Sequence, residues 1–141
     1  MGTRADFYIG RGSNAKWLGS MGWDGYPQGI PPKILKAKSL DAFKRNVATF
    51  LKNRPDGTLA KDGWPWPWLD SAGTDYAYAY DQGGVLACRF GSQWFNPLLE
   101  PPPHENYHDP SVVFPDMKDK QKVTSGKRSG LMVFGPKGII K

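Results

Sequence analysis

Two imidazoles four positions apart with a carboxylate between them, His104-Glu105-Asn106-Tyr107-His108, form the residue set best suited to chemistry. On a helix that spacing puts both rings on one face, where they can hold zinc while the Glu acts as general base in hydrolysis. The flanks work against such a helix, because Pro101-Pro102-Pro103 leads in and Asp109-Pro110 leads out. The roughly six residues between them are too few for a stable helix. Asp109 or Asp116 would have to serve as third ligand. Otherwise His104 and His108 belong to a polar surface loop.

The stretch resembles the zincin metalloprotease signature, but over five residues with two free positions, a weakly specific match. Zinc-dependent hydrolysis is therefore kept as an alternative. Other catalytic patterns fail on context. Gly10-Arg11-Gly12 lacks the third glycine and the following helix of a dinucleotide loop. Cys88 alternates towards the interior of a strand with no His near it in sequence, which makes it a small buried hydrophobe. No Ser-His-Asp arrangement, Walker loop or paired Cys site is present, and no cofactor is implied.

Recognition is better supported than catalysis. Gly22-Trp23-Asp24-Gly25-Tyr26-Pro27-Gln28-Gly29-Ile30-Pro31-Pro32 joins glycines that permit unusual backbone angles to prolines that fix φ, so a rigid connection is expected. Trp23 and Tyr26 each combine a large ring with a polar tip. Asp24 either accepts hydrogen bonds from the turn's own amides or faces a partner beside the rings. Gly63-Trp64-Pro65-Trp66-Pro67-Trp68-Leu69 alternates Trp and Pro along an extended path. Its rings either close over one side of a sheet as a lid or leave Trp64 and Trp66 to stack on a partner. The stretch 116–128 carries Lys118, Lys120, Lys122, Lys127 and Arg128, a basic loop able to meet phosphates.

At 141 residues the chain fits one domain, 1–141, with flexible loops expected near 96–110 and 116–128. Nineteen Lys and Arg against thirteen Asp and Glu give a net charge of +6, which favours acidic partners, nucleic acid among them. The same charge disfavours a mimic of nucleic acid. The lone cysteine and the lack of an apolar leader or a spanning run predict a soluble, cytoplasmic protein with no membrane partner. Six Trp, six Tyr and seven Phe, with seventeen Gly and thirteen Pro, suit a loop-rich domain with aromatic packing.

The elements that must position these groups read as α+β. Asp6–Gly10 and Lys16–Trp23 read as strands about a turn, and Tyr76, Tyr78 and Tyr80 alternate with Ala77 and Ala79 before Gln82-Gly83-Gly84 and the returning Val85–Phe90. Val112-Val113-Phe114 and Leu131-Met132-Val133-Phe134 are candidate further strands. One principal amphipathic helix is expected over Ser39–Asn53, with Leu40, Phe43, Val47, Phe50 and Leu51 on one face, Ser39 as N-cap and Asp41 in the first turn. The expectation is an antiparallel sheet of four to six strands. The helix should cover one face of it, on the Ala77/Ala79 side or on the adjoining Leu86, Cys88 and Phe90.

Met1-Gly2-Thr3-Arg4, Trp23-Asp24-Gly25-Tyr26-Pro27, Asp75–Phe90 and Arg128-Ser129-Gly130-Leu131-Met132-Val133-Phe134-Gly135 together resemble small uncharacterised proteins carried by bacteriophages, integrative elements and proteobacterial genomes. The likeness covers most of the chain but not 96–110. It implies a mobile-element setting, in which such proteins act by binding a host protein or nucleoprotein, including as inhibitors of defence systems such as CRISPR effector complexes. Three functions are carried forward: a non-enzymatic binding protein of this kind, a zinc-dependent hydrolase, and a single-stranded nucleic-acid-binding protein.

Overall fold

The computed structural model describes residues 2–99, 101 and 108–120. Five strands, β1 (Ala5–Ile9), β2 (Lys16–Met21), β3 (Gly57–Leu59), β4 (Tyr76–Asp81) and β5 (Gly84–Arg89), form one sheet in the order β3-β2-β1-β4-β5. One short helix, α1 (Pro32–Leu35), and one principal helix, α2 (Leu40–Lys52), lie between β2 and β3. The α+β class stands, but the sheet is mixed, not antiparallel throughout. The central strand β1 and its neighbour β4 run parallel, from Ala5 beside Tyr76 to Ile9 beside Tyr80. This pairing is seeded where Arg4 donates its amide to the Asp75 carboxylate at 2.9 Å and Tyr76 donates to the Arg4 carbonyl at 3.0 Å.

Alternation along the strands sends side chains to two faces. On one, α2 lays Phe43, Val47 and Leu51 against Ala5, Phe7, Met21, Tyr76 and Tyr78, with Ile30, Ile34 and Leu35 filling the flank. The helix begins as its sequence dictates, the Ser39 hydroxyl accepting from the Ala42 amide at 3.1 Å, while Leu40 stays exposed. It therefore sits on the tyrosine side of β4, opposite to the expected Ala side. Large rings on the sheet meet the branched side chains of α2, and Phe7 stacks on Tyr78 with centroids 5.5 Å apart.

The other face carries Tyr8, Trp17, Ala77, Ala79 and Cys88, and is covered by Trp64, Trp66, Trp68, Phe114 and Met117. The small Ala side chains make room for indoles. A bulge decides part of this arrangement. The β1–β2 register shifts between Phe7 and Tyr8, so Gly19 faces Phe7 but Trp17 faces Tyr8. Trp17 thereby joins Ser20 on one side instead of alternating away from it, and its indole donates to the Ser20 hydroxyl at 3.1 Å. A Cβ at Gly19 would strike the Thr58 carbonyl and the Leu51 side chain, so the bulge, the β3 pairing and α2 packing all need glycine there.

Val112-Val113-Phe114 forms no strand. The Val112 amide closes a turn on Asp109 and Pro115 follows at once, so no ladder can start, and Phe114 packs against Tyr8 and Trp94 instead. Leu131–Phe134 lies outside the described residues. Among the described residues no helix is long and apolar enough to cross a membrane.

Candidate functional site

Trp23 and Tyr26 are 45% and 39% exposed, unusual for such large rings, and the backbone beneath them has no slack. Gly25 donates to the Thr3 carbonyl at 2.8 Å and accepts from the buried Tyr78 hydroxyl at 2.6 Å. A Cβ at Gly25 would meet Ala5 and Thr3, and one at Gly2 would meet Gly22 and Trp23. The amides of Gly22 and Trp23 both donate to Asp56 Oδ2 at 2.9 Å. The carboxylate that organises this turn thus comes from 33 residues along the chain, not from Asp24.

Asp24 itself adopts a left-handed conformation, φ 63°, which Asp tolerates better than most residues. Its side chain accepts from the Tyr26 hydroxyl at 3.1 Å and is 52% exposed. That hydrogen bond, with the carboxylate's charge, raises the Tyr26 hydroxyl above its ordinary range. With the turn's amides already satisfied by Asp56, Asp24 keeps a carboxylate towards solvent beside two rings.

Arg54 completes the site. Its Nε and Nη2 bind the Asp56 carboxylate at 2.8 and 3.1 Å, and Nη2 also donates to the Trp23 carbonyl at 3.0 Å. The guanidinium lies 5.9 Å from the Trp23 ring and 5.3 Å from the Phe50 ring, with Asp24 Oδ2 at 3.9 Å. Burial works to raise Asp56, but hydrogen bonds from Arg54 and from the Trp23 and Gly22 amides outweigh it and hold the carboxyl below its usual range. Arg54 and Asp56 were readable in sequence only as a turn after a helix. The available signal was their spacing, a cation and an anion two apart in Arg54-Pro55-Asp56-Gly57.

The other expected contacts do not join this platform. Trp64 is 1% exposed and sits edge-on to Trp17 at 5.2 Å, its indole donating to the Trp68 carbonyl at 2.7 Å, so it is interior and not a contact residue. Trp66 stacks on Trp68 at 5.5 Å and donates to Asp6 Oδ1 at 2.7 Å, so its polar edge is also turned inward. The Trp-Pro stretch is a lid. Lys118 and Lys120 are exposed on a single 3-10 turn next to that lid, which Met117 joins by donating to the Leu69 carbonyl at 2.6 Å. Lys122, Lys127 and Arg128 lie outside the described residues.

Of the metal pair, His104 lies outside the described residues, while His108 is exposed and in no helix. Among the described residues no three His, Cys, Asp or Glu side chains gather as metal ligands. Cys88 is 1% exposed, and burial pushes its thiol up to about 12, so it holds no thiolate at neutral pH.

Among the described residues one carboxyl group lies fully inside. Asp6, 0% exposed, accepts from Ser20 at 2.6 Å, from Trp66 and from Ser71, and Ser71 also meets the Tyr8 hydroxyl at 2.6 Å. Burial raises its carboxyl, against the hydrogen bonds from Ser20, Ser71, Trp66 and Thr74. Sealed from solvent, it fastens the lid. Comparison with family models, with curated proteins and with solved structures finds no match for this chain.

Proposed function

We propose that this is a non-enzymatic binding protein whose platform of Trp23, Asp24, Tyr26 and Arg54 engages a host protein or nucleoprotein. The observation that carries this reading is the pairing of two half-exposed rings with a backbone that hydrogen bonds and glycine contacts hold in one conformation. Trp, Tyr and Arg supply most of the energy at protein interfaces, and rings fixed before binding lose little entropy on contact. Exposed Lys44, Arg45 and Lys52 on α2 add positive charge, Lys52 two residues before Arg54, which suits an acidic partner face. In the mobile-element setting that the sequence resembles, such a partner belongs to the host, and inhibition of a defence complex such as a CRISPR effector is the particular role proposed.

The test compares the wild type with Trp23→Ala and Tyr26→Ala in affinity capture from host lysate, with melting curves alongside. A partner retained by the wild type should be lost from both variants while the melting temperature stays within about 2 °C. Capture that survives both substitutions refutes the platform. Retention of nucleic acid alone, lost steeply with salt, would favour direct polynucleotide binding instead.

A further inference from the structure

We propose a second recognition site, at the opposite end of the sheet: the open edge of β5 at Val85 takes up an extended acidic segment of a partner polypeptide as an added strand. Trp23 follows the end of β2, beside the start of β1, whereas the β4–β5 turn lies at the far end of the parallel β1–β4 pair. The two sites are therefore independent.

The edge is open for a covalent reason. Ala87 exchanges both backbone hydrogen bonds with Phe95, each 2.8 Å, so its N–H and C=O point away from β4. A strand repeats every two residues, so Val85 presents its own N–H and C=O along the same edge. Continuing the Ala87–Phe95 register would set Pro97 opposite Val85. Proline has no N–H to give, and the chain turns away as Leu99 bonds back to the Asn96 carbonyl at 3.1 Å. The Val85 backbone pair has no hydrogen-bond partner among the described residues.

Beside this edge runs a groove of about 440 Å³ lined by Lys36, Lys38, Gly84, Val85, Asn96 and Leu98. Leu98 is 46% exposed and offers an apolar wall. Among the described residues the one acidic side chain at the groove, Asp81, is offset by Arg11 at 2.9 Å. Lys36 and Lys38 are exposed and have no ion-pair partner among the described residues. Backbone groups awaiting a strand, a channel alongside and unpaired cations on its wall select an extended peptide with carboxylates on one side and apolar residues on the other.

The experiment measures fluorescence anisotropy of a labelled decapeptide of alternating Glu and Val against the full chain. Its Lys/Val counterpart and two versions N-methylated at one or the other alternate set of amides serve as controls. The acidic peptide should bind about ten-fold or more tightly than the basic one, and Lys36→Glu with Lys38→Glu should reverse the preference. One methylated set should abolish binding and the other leave it, since only every second amide of an added strand faces the edge. Trp23→Ala should leave this binding unchanged, so failure here and failure of the platform are told apart. No binding of the acidic peptide, binding indifferent to the charge reversal or to both methylations, or displacement by a single-stranded oligonucleotide at lower concentration than the peptide overturns the proposal.

Discussion

The two faces of the sheet are closed by different physics. On the α2 face, a helix that satisfies its own backbone brings an apolar stripe, and Phe43, Val47 and Leu51 settle on Phe7, Met21 and the ring of Tyr78, whose hydroxyl donates to the Gly25 carbonyl. Hydrophobic burial is non-directional, so many arrangements of similar volume would serve. On the tryptophan face the cover is, among the described residues, irregular chain with 3-10 turns such as Ser71–Gly73, and four of the indoles on that face bring N–H groups that must find acceptors. They find them one by one: Trp17 on Ser20, Trp64 on Trp68, Trp66 on Asp6 and Trp68 on Thr74. Arg4 adds a guanidinium 5.0 Å from the Trp68 ring while held by Asp75 at 3.0 Å. An element without a backbone ladder of its own is fixed by directional side-chain bonds converging on a buried carboxylate.

That contrast can be broken most sharply at Asp6. Asp6→Leu leaves the Ser20, Ser71 and Trp66 donors without their acceptor, and chemical denaturation should show a loss on the order of 4 kcal/mol. A loss under about 1 kcal/mol would mean that the indoles alone hold the lid. A smaller effect is expected on the helix face, where Val47→Ala should cost roughly 2 kcal/mol and Val47→Ile should be tolerated within about 1 kcal/mol. If the added methylene of Val47→Ile proved as costly as the deletion, that face would be as exacting as the other.

The smallest effect separates charge from hydrogen bonding. The Asp6 carboxyl is raised by burial, so its contribution to stability is full below the ordinary aspartate range and is lost as pH rises through the higher folded-state value. Asp6→Asn keeps an acceptor oxygen and removes the titration. The melting temperature of the wild type relative to that variant should therefore fall as pH rises above the ordinary aspartate range. A difference that grew with pH would show that the carboxylate is stabilised as an anion. Asp56 has the opposite sign: held low, it contributes above the ordinary range and loses that contribution as pH falls, loosening the Trp23 platform in acid.

Much of this was legible one residue at a time. Ser39 announces its helix because a hydroxyl there reaches an amide three residues on. Trp23 and Tyr26 stood out as rings set among glycines and prolines, and both stand exposed. What failed was any inference that required knowing what lies across the fold. Asp24 looked like the organiser of its turn because Asp56 is far away in sequence. Trp64 looked available because nothing local says that Trp17 and Ala77 wait beneath it. Val112–Phe114 looked like a strand because an apolar run does not reveal that its neighbours are already turned or proline.

The sequence by itself determined the α+β class, the principal helix and its cap, and the alternation of Tyr with Ala along β4, because these depend on groups within a few positions of one another. The tertiary structure alone decided the parallel union of β1 with β4, the bulge that turns Trp17 inward, the delivery of Asp56 to Gly22 and Trp23, and the meeting of Asp6 with Ser71, 65 residues apart. Each depends on which surfaces remain unburied after the local elements form, and that is a property of the assembled packing.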